Sequence, residues 1–326
     1  MAKIVHVIGH PGTNGATVSL AQIVAGLKTY ENIDSDIVVV NSGGKTNTTN
    51  VELIESNGAT VTDYQDTRYF TSEGHEPYDI IVQHRLAGTM SLCPMGKPYI
   101  VVNHTSQLPQ EMKRFTHADA IVYVSQYLLK QAKVLPPSMS HVIINGIERM
   151  TGVVQNPALD NGLFNTGRCH RLSQDKFPHG SIPLLLPIKG HRHWIIGGNK
   201  RKTLGTIEYL PTISNQSEKI AYISAFDLYF YDAVIAEGTS MAVLESLSCG
   251  VPVLCRGKPG TDELVFHKRN GFIYDRVSDA VKRINQMKND PAALNNLQQQ
   301  TLADFDARLH IRHCVKKYAD LLNTFS

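Results

Sequence analysis

Short β-branched runs recur along this chain, and helix-periodic stretches separate several of them. KIVHVI (3–8), DIVVVNS (36–42), DIIVQH (79–84), YIVVNH (99–104), AIVYVS (120–125) and HVIIN (141–145) are nearly all apolar. That is the pattern of parallel strands buried on both faces. GATVSLAQIVAGLKTY and SQYLLKQAKVL carry apolar residues at helical spacing between strands. Alternating strands and helices predict an α/β, doubly wound sheet. The segment 145–162 is turn-rich and loses the periodicity, which puts a domain boundary there and predicts domains over 1–150 and 151–326. A second α/β set then follows, with strands in GLFNTG, WIIGG (194–198), IEYL, DLYFY and VPVLC. The C-terminal stretch LNNLQQQTLADFDARLHIRHCVKKYADLLNTF reads as helix.

Composition fits two ordinary cores. The chain has 326 residues, 42% of them hydrophobic, and a formal net charge of +3. So small a charge does not mark a nucleic-acid or membrane binder. Five scattered cysteines show no metal-ligand spacing and favour reduced thiols. KIVHVI begins almost at once, with no basic-then-apolar leader, and no apolar run approaches membrane-spanning length. These features predict a soluble, cytoplasmic protein.

The chemistry concentrates in EGTSMAVLESLSCGVPVL (237–254). Gly238, Thr239 and Ser240 read as a turn and N-cap, Met241 opens a short helix, and Gly250 stops it. A helix N-terminus offers free N–H groups and the positive end of the helix dipole, which suits an anion. Glu237 would lie at the mouth of that site and Glu245 about two turns deeper. The pair suits a ligand with a sugar hydroxyl at one end, a ribose at the other and a diphosphate between. An earlier turn, GHPGTNGATVSL (9–20), also follows a strand and opens a helix, with Gly15 closest to the helix. Its G-x-x-G-x-x-G spacing is not the dinucleotide fingerprint. GRCHRLSQDKFP (167–178) supplies the cations Arg168, Arg171 and Lys176. His84 and His104 end predicted strands at the carboxyl edge, where α/β folds bind ligands.

EGTSMAVLE followed by CGVPVLC resembles the donor-site motif of retaining nucleotide-sugar glycosyltransferases of the GT-B fold (family 4-like, glycosyl transferases group 1). PGTDELVFHKRNGFIYD (259–275) continues the likeness. Arg171, Leu172 and Lys176 resemble the family's R-L-x-x-x-K motif, with Arg168 as a competing assignment. VVNHTSQLPQEM around His104 looks like a segment of phosphorylases with the same fold.

The resemblance implies two Rossmann-like domains facing a central cleft, an N-terminal acceptor domain and a C-terminal donor domain, with the last helix returning to the first. It implies that Arg171, Lys176 and the N–H groups of Ser240 and Met241 hold the diphosphate. Glu237 would bind donor sugar hydroxyls, Glu245 the ribose, and Gly15 would face the donor phosphate. His104 would lie beside the transferred sugar, with His84 nearby. The expected reaction is metal-independent, retaining transfer from a nucleotide-diphosphate sugar to a hydroxyl acceptor, with no cofactor. Alternatives are the same chemistry on a hydroxylated pyrimidine of modified DNA, a sugar-nucleotide epimerase, and a non-catalytic nucleotide-sugar-binding module. Asp34/Asp36 and Asp304/Asp306 mimic a D-x-D metal site, but their positions read as solvated.

Overall fold

A computed structural model describes residues 2–8, 15–40, 55, 61–64, 78–85, 96–105, 115–132, 137–150, 156–170, 176, 178 and 182–326. The chain divides into two compact units. One comprises Met1–Ile147 with Ile311–Ser326, and the other Glu148–His310.

The first unit is built on seven strands: β1 (Ile4–Ile8), β2 (Ser35–Val40), β3 (Val61–Tyr64), β4 (Ile80–Arg85), β5 (Tyr99–Asn103), β6 (Ala120–Tyr123) and β7 (Ser140–Val142). Their order is β3-β2-β1-β4-β5-β6-β7, and every pair is parallel. The apolar runs are continuous because β1, β5 and β6 are buried along their whole length. Helix α1 (Gly15–Glu31) follows β1, and α2 (Gln126–Gln131) follows β6, capped by the Ser125 hydroxyl on the Leu128 N–H at 3.2 Å.

The second unit holds β8 (Phe164–Cys169), β9 (His191–Gly198), β10 (Lys202–Leu204), β11 (Ile207–Pro211), β12 (Leu228–Tyr231), β13 (Val253–Arg256) and β14 (Gly271–Tyr274). The order is β10-β11-β9-β8-β12-β13-β14, parallel except for the β10–β11 hairpin. Its helices are α3 (Ile182–Leu185), α4 (Gln216–Ile223), α5 (Met241–Ser248), α6 (Val277–Asn289) and α7 (Pro291–Arg308). A Cβ on Gly167 would lie 2.1 Å from the Phe226 ring, so only glycine lets that ring rest on β8.

Two departures from the sequence pattern have physical reasons. β3 lies within the polar segment 43–70, because VTDY mixes polar and apolar positions and adds only an edge strand. β10 is exposed at all three residues and gives no apolar signal. The C-terminal stretch is helical, as expected, in two pieces. It breaks after Arg308, and α8 (Ile311–Asn323) packs into the core of the first unit through Ile311, Val315, Tyr318 and Leu322. Full burial of such side chains stabilises by roughly 1.5–3 kcal/mol each. Among the described residues no helix is long and apolar enough to cross a membrane.

Candidate functional site

In the second unit, β12 delivers Tyr231 and the chain then runs through 232–240 to α5. Asp232 anchors the start of this segment: it is fully buried and accepts from Tyr274 Oη at 2.6 Å and from Arg256 Nε. Gly260 fixes the far end. Its φ is +86°, and a Cβ there would stand 1.8 Å from the Glu237 carbonyl oxygen. The Glu237 N–H donates to the Pro259 carbonyl at 3.1 Å, so the two loops are laced together.

Glu237 is engaged at both oxygens. Lys176 Nζ pairs with Oε1, and the Tyr231 hydroxyl donates to Oε2. Burial and then the Glu237 charge hold the Tyr231 hydroxyl well above its ordinary pKa, so it stays a donor. The expected Ser240 side-chain cap does not form: Ser240 is the N-cap residue of α5, but its hydroxyl bonds Tyr231 instead. The first-turn N–H groups at Met241 are thereby left for another acceptor. Gly238 and Ser240 are buried and Thr239 is half-buried, which sets the backbone of the turn close to Glu237.

Arg168 is not at the surface. It is fully buried in β8, and its Nη2 donates to the Lys176 carbonyl and to the His170 ring. Burial lowers its pKa to about 10, opposed by Tyr229, Asp232, Tyr231 and Tyr274, so it remains charged at neutral pH. It thereby braces the backbone at Lys176. Arg171 lies outside the described residues.

Glu245, two turns into α5, is 4% exposed. Lys219 Nζ and Gln216 Nε2, both from α4, reach its Oε1 at 2.6 and 3.2 Å. Both partners share that one oxygen. The two glutamates thus belong to separate, fully built polar clusters, not to an exposed helix face.

In the first unit, Gly15 opens α1 and is exposed. His84 is the penultimate residue of β4, and His104 follows β5. Their Nδ1 and Nε2 atoms, respectively, lie 3.0 Å apart. A third histidine joins them, His6 of β1, whose Nδ1 is 2.9 Å from His84 Nε2. Register explains the alignment. His6 pairs with Val82 and His84 with Val102, so each step crosses one strand and advances two residues on the same sheet face. Burial lowers His6 to about 3 and His104 to about 4, and pushes His84 well below the usual value.

Among the described residues no group of three or more His, Cys, Asp and Glu is placed to hold a metal ion. Asp34 and Asp36 are exposed, Asp34 pairing with Lys28 at 2.9 Å. Asp304 is not solvated as its pattern suggested. It is 3% exposed, paired with Arg269 at 2.7 Å and Arg308 at 2.5 Å, and it accepts from Asn270. Cys169, Cys249, Cys255 and Cys314 are free thiols.

Sequence reasoning missed Tyr231, Lys219 and His6. A histidine inside an otherwise apolar strand was the available signal for His6. Tyr231 and Lys219 become visible only when β12 and α4 are folded beside α5.

Two seven-stranded Rossmann-like sheets, parallel but for β10, match the GT-B fold of glycosyltransferases. Residues 199–303, which contain Glu237 and Glu245, match the family model described as glycosyl transferases group 1. Anabaena HepE, solved in complex with UDP-glucose, is 18% identical with a TM-score of 0.78 over 99% of this chain and 100% of that one. A glycosyltransferase from Rickettsia africae is 12% identical with a TM-score of 0.79, over 99% and 98% of the two chains. Sucrose-phosphate synthase from Thermosynechococcus elongatus gives 11% and 0.75, again over 99% and 98%. A chitobiosyldiphosphodolichol beta-mannosyltransferase of Candida albicans is 30% identical over 141 residues. That alignment covers 39% of this chain and 30% of the relative's length.

Proposed function

We propose that this protein transfers a sugar from a nucleotide-diphosphate sugar to a hydroxyl acceptor, with retention of anomeric configuration and without a metal. The observation that carries the reading is Glu237, braced by Lys176 and Tyr231 at the N-terminus of α5, eight positions before Glu245 in the segment that matches group 1 glycosyl transferases.

The chemistry follows from what each group can do. Breaking the glycosidic bond builds negative charge on the leaving diphosphate. The uncapped N–H groups at the start of α5 and the Lys176 ammonium are aimed where that charge develops. Lys176 exchanges its Glu237 oxygen for a phosphate oxygen when the donor arrives, and the freed carboxylate oxygen accepts from sugar hydroxyls. Tyr231 keeps the other oxygen and so keeps Glu237 in place. Glu245, with Oε1 occupied by Lys219 and Gln216, presents Oε2 to ribose hydroxyls. The leaving phosphate oxygen accepts the acceptor's proton as the new bond forms on the same face.

A panel of nucleotide sugars, beginning with UDP-glucose, scored for hydrolysis and then for transfer to an acceptor library that includes hydroxymethylated DNA, tests the reading. Release of nucleoside diphosphate coupled to a product of unchanged anomeric configuration by NMR is the expected result. No turnover and no binding across the panel would overturn it.

A further inference from the structure

We propose that His170, half-buried just past β8, is a positioning residue for the Glu237 carboxylate and acts on it through Tyr231. The assignment of Glu237 to the donor sugar is taken from the reading above, whereas the arrangement of His170 follows from the second unit alone.

The protonation of this ring is set by the group that faces it. Arg168 is fully buried and charged at neutral pH. Its Nη2 lies against the His170 ring, nearest to Nε2 and 3.3 Å from Nδ1. A guanidinium only donates. An N–H at Nε2 would point donor at donor, and an imidazolium would set a second positive charge against a buried one. His170 is therefore a neutral ring with its lone pair on Nε2 and its proton on Nδ1. The His170 backbone N–H donates to the Ile196 carbonyl at 3.1 Å, which continues the β8–β9 pairing and fixes where the ring starts.

The second contact of the ring gives it a task. Tyr231 meets it edge to face, with ring centroids 5.2 Å apart and planes at 68°. The Tyr231 hydroxyl holds Glu237 Oε2, Lys176 Nζ holds Oε1, and the Lys176 carbonyl returns to Arg168 Nη2. Arg168, His170, Tyr231, Glu237 and Lys176 thus close into one circuit, with a single guanidinium nitrogen tied to both arms that hold the carboxylate. When the donor draws Lys176 Nζ away, the Tyr231 arm alone still fixes Glu237, and His170 is what Tyr231 leans on. Two requirements meet at this position: a lone pair for Arg168 and an aromatic edge for Tyr231. Phenylalanine supplies only the edge, glutamine only the acceptor, and a neutral histidine both.

The test is a double-mutant cycle of His170→Gln and His170→Phe with Tyr231→Phe, read as turnover of UDP-glucose. Each His170 variant should lower turnover about tenfold, with the donor KM within about twofold of wild type. Urea midpoints should stay close to wild type. In the Tyr231→Phe background the same substitutions should cost less than about twofold more, because the hydroxyl through which His170 acts is gone. Additive losses overturn the route through Tyr231. Wild-type turnover in both His170 variants, or a raised donor KM with turnover unchanged, overturns the positioning role. A long-range proton–nitrogen correlation spectrum of the ligand-free wild type, labelled with 15N-histidine, should show the His170 proton on Nδ1. A proton on Nε2, or an imidazolium at neutral pH, overturns the arrangement whether or not the variants fold. If calorimetry shows that neither UDP-glucose nor the other donors bind, the functional reading fails instead. The role of His170 is then decided by that spectrum and by ligand-free crystal structures, in which Glu237 should keep one rotamer in the wild type and spread over several in His170→Gln. A Glu237 fixed alike in both would overturn it.

Discussion

Tyr231 donates its phenolic proton to Glu237 Oε2 while Lys176 pairs with the other oxygen of the same carboxylate. Tyr231 is 1% exposed and fixed in β12, so the rotamer of Glu237 is set by the sheet and not by solvent. Tyr231→Phe removes a hydrogen bond to a charged group, worth roughly 1.5–3 kcal/mol. Turnover of the nucleotide sugar should fall by about ten- to a hundredfold, with the donor KM little changed. Steady-state kinetics at saturating acceptor check this. Wild-type turnover in the variant would remove Tyr231 from the site.

Lys176 and Arg168 should separate cleanly. Lys176→Ala removes the ammonium facing the leaving group and should cost about 2–4 kcal/mol of transition-state stabilisation. Its urea midpoint should stay near wild type, since Lys176 is only partly buried. Arg168→Met, by contrast, alters a buried brace and should move the urea midpoint first.

The Glu245–Lys219 pair makes a double prediction. Ribose is bound alike in ground and transition states, so Glu245→Gln should mainly raise the donor KM. Lys219→Met leaves Glu245 buried with one neutral neighbour, and breaking such a pair costs up to about 3 kcal/mol. Urea denaturation of Lys219→Met and donor kinetics of Glu245→Gln test the two halves. An unchanged KM for Glu245→Gln would reduce this carboxylate to a packing role.

Chelation with EDTA should leave transfer intact, because the proposed charge stabilisation rests on Lys176 and the α5 N-terminus. Loss of activity restored by magnesium or manganese would reject the metal-independent mechanism.

Acid should unfold the protein through its buried histidines. His6, His104 and His191 are lowered to about 3, 4 and 4, and His84 and His193 lie well below the ordinary value, all chiefly through burial. The unfolded chain binds protons near pH 6.5 and the folded one does not, so stability is full above that pH and is lost as pH falls toward the folded values. Each such histidine contributes a slope of about 1.4 kcal/mol per pH unit inside that window. Urea midpoints at pH 7, 6 and 5 should drop with increasing steepness. A flat profile would mean that these rings are hydrated or already protonated in the native state.

Much of this was legible before folding because a buried parallel strand leaves an unmistakable apolar run. KIVHVI, YIVVNH and DLYFY all became strands, and the helix from Met241 ended where Gly250, with φ of +76°, required. Glu237 and Glu245 could be singled out because the turn and helix between them are local. Their partners could not. Lys219 lies 26 positions from Glu245, and no local pattern announces that α4 and α5 will be neighbours. Asp304 misled for the same reason: its partners Arg269 and Asn270 are far away in sequence, so its burial was invisible.

Helix α8 has a temporal meaning. The core of the first unit includes Ile311, Val315 and Tyr318, and a Cβ on Gly26 of α1 would stand 2.9 Å from both Ile311 and Val315. A ribosome makes those residues only after it has made the whole of Glu148–His310. The second unit is contiguous and can close as it emerges, whereas the first must wait with a gap along α1 until the last helix arrives. Of these two units, the one whose synthesis starts first is therefore completed second.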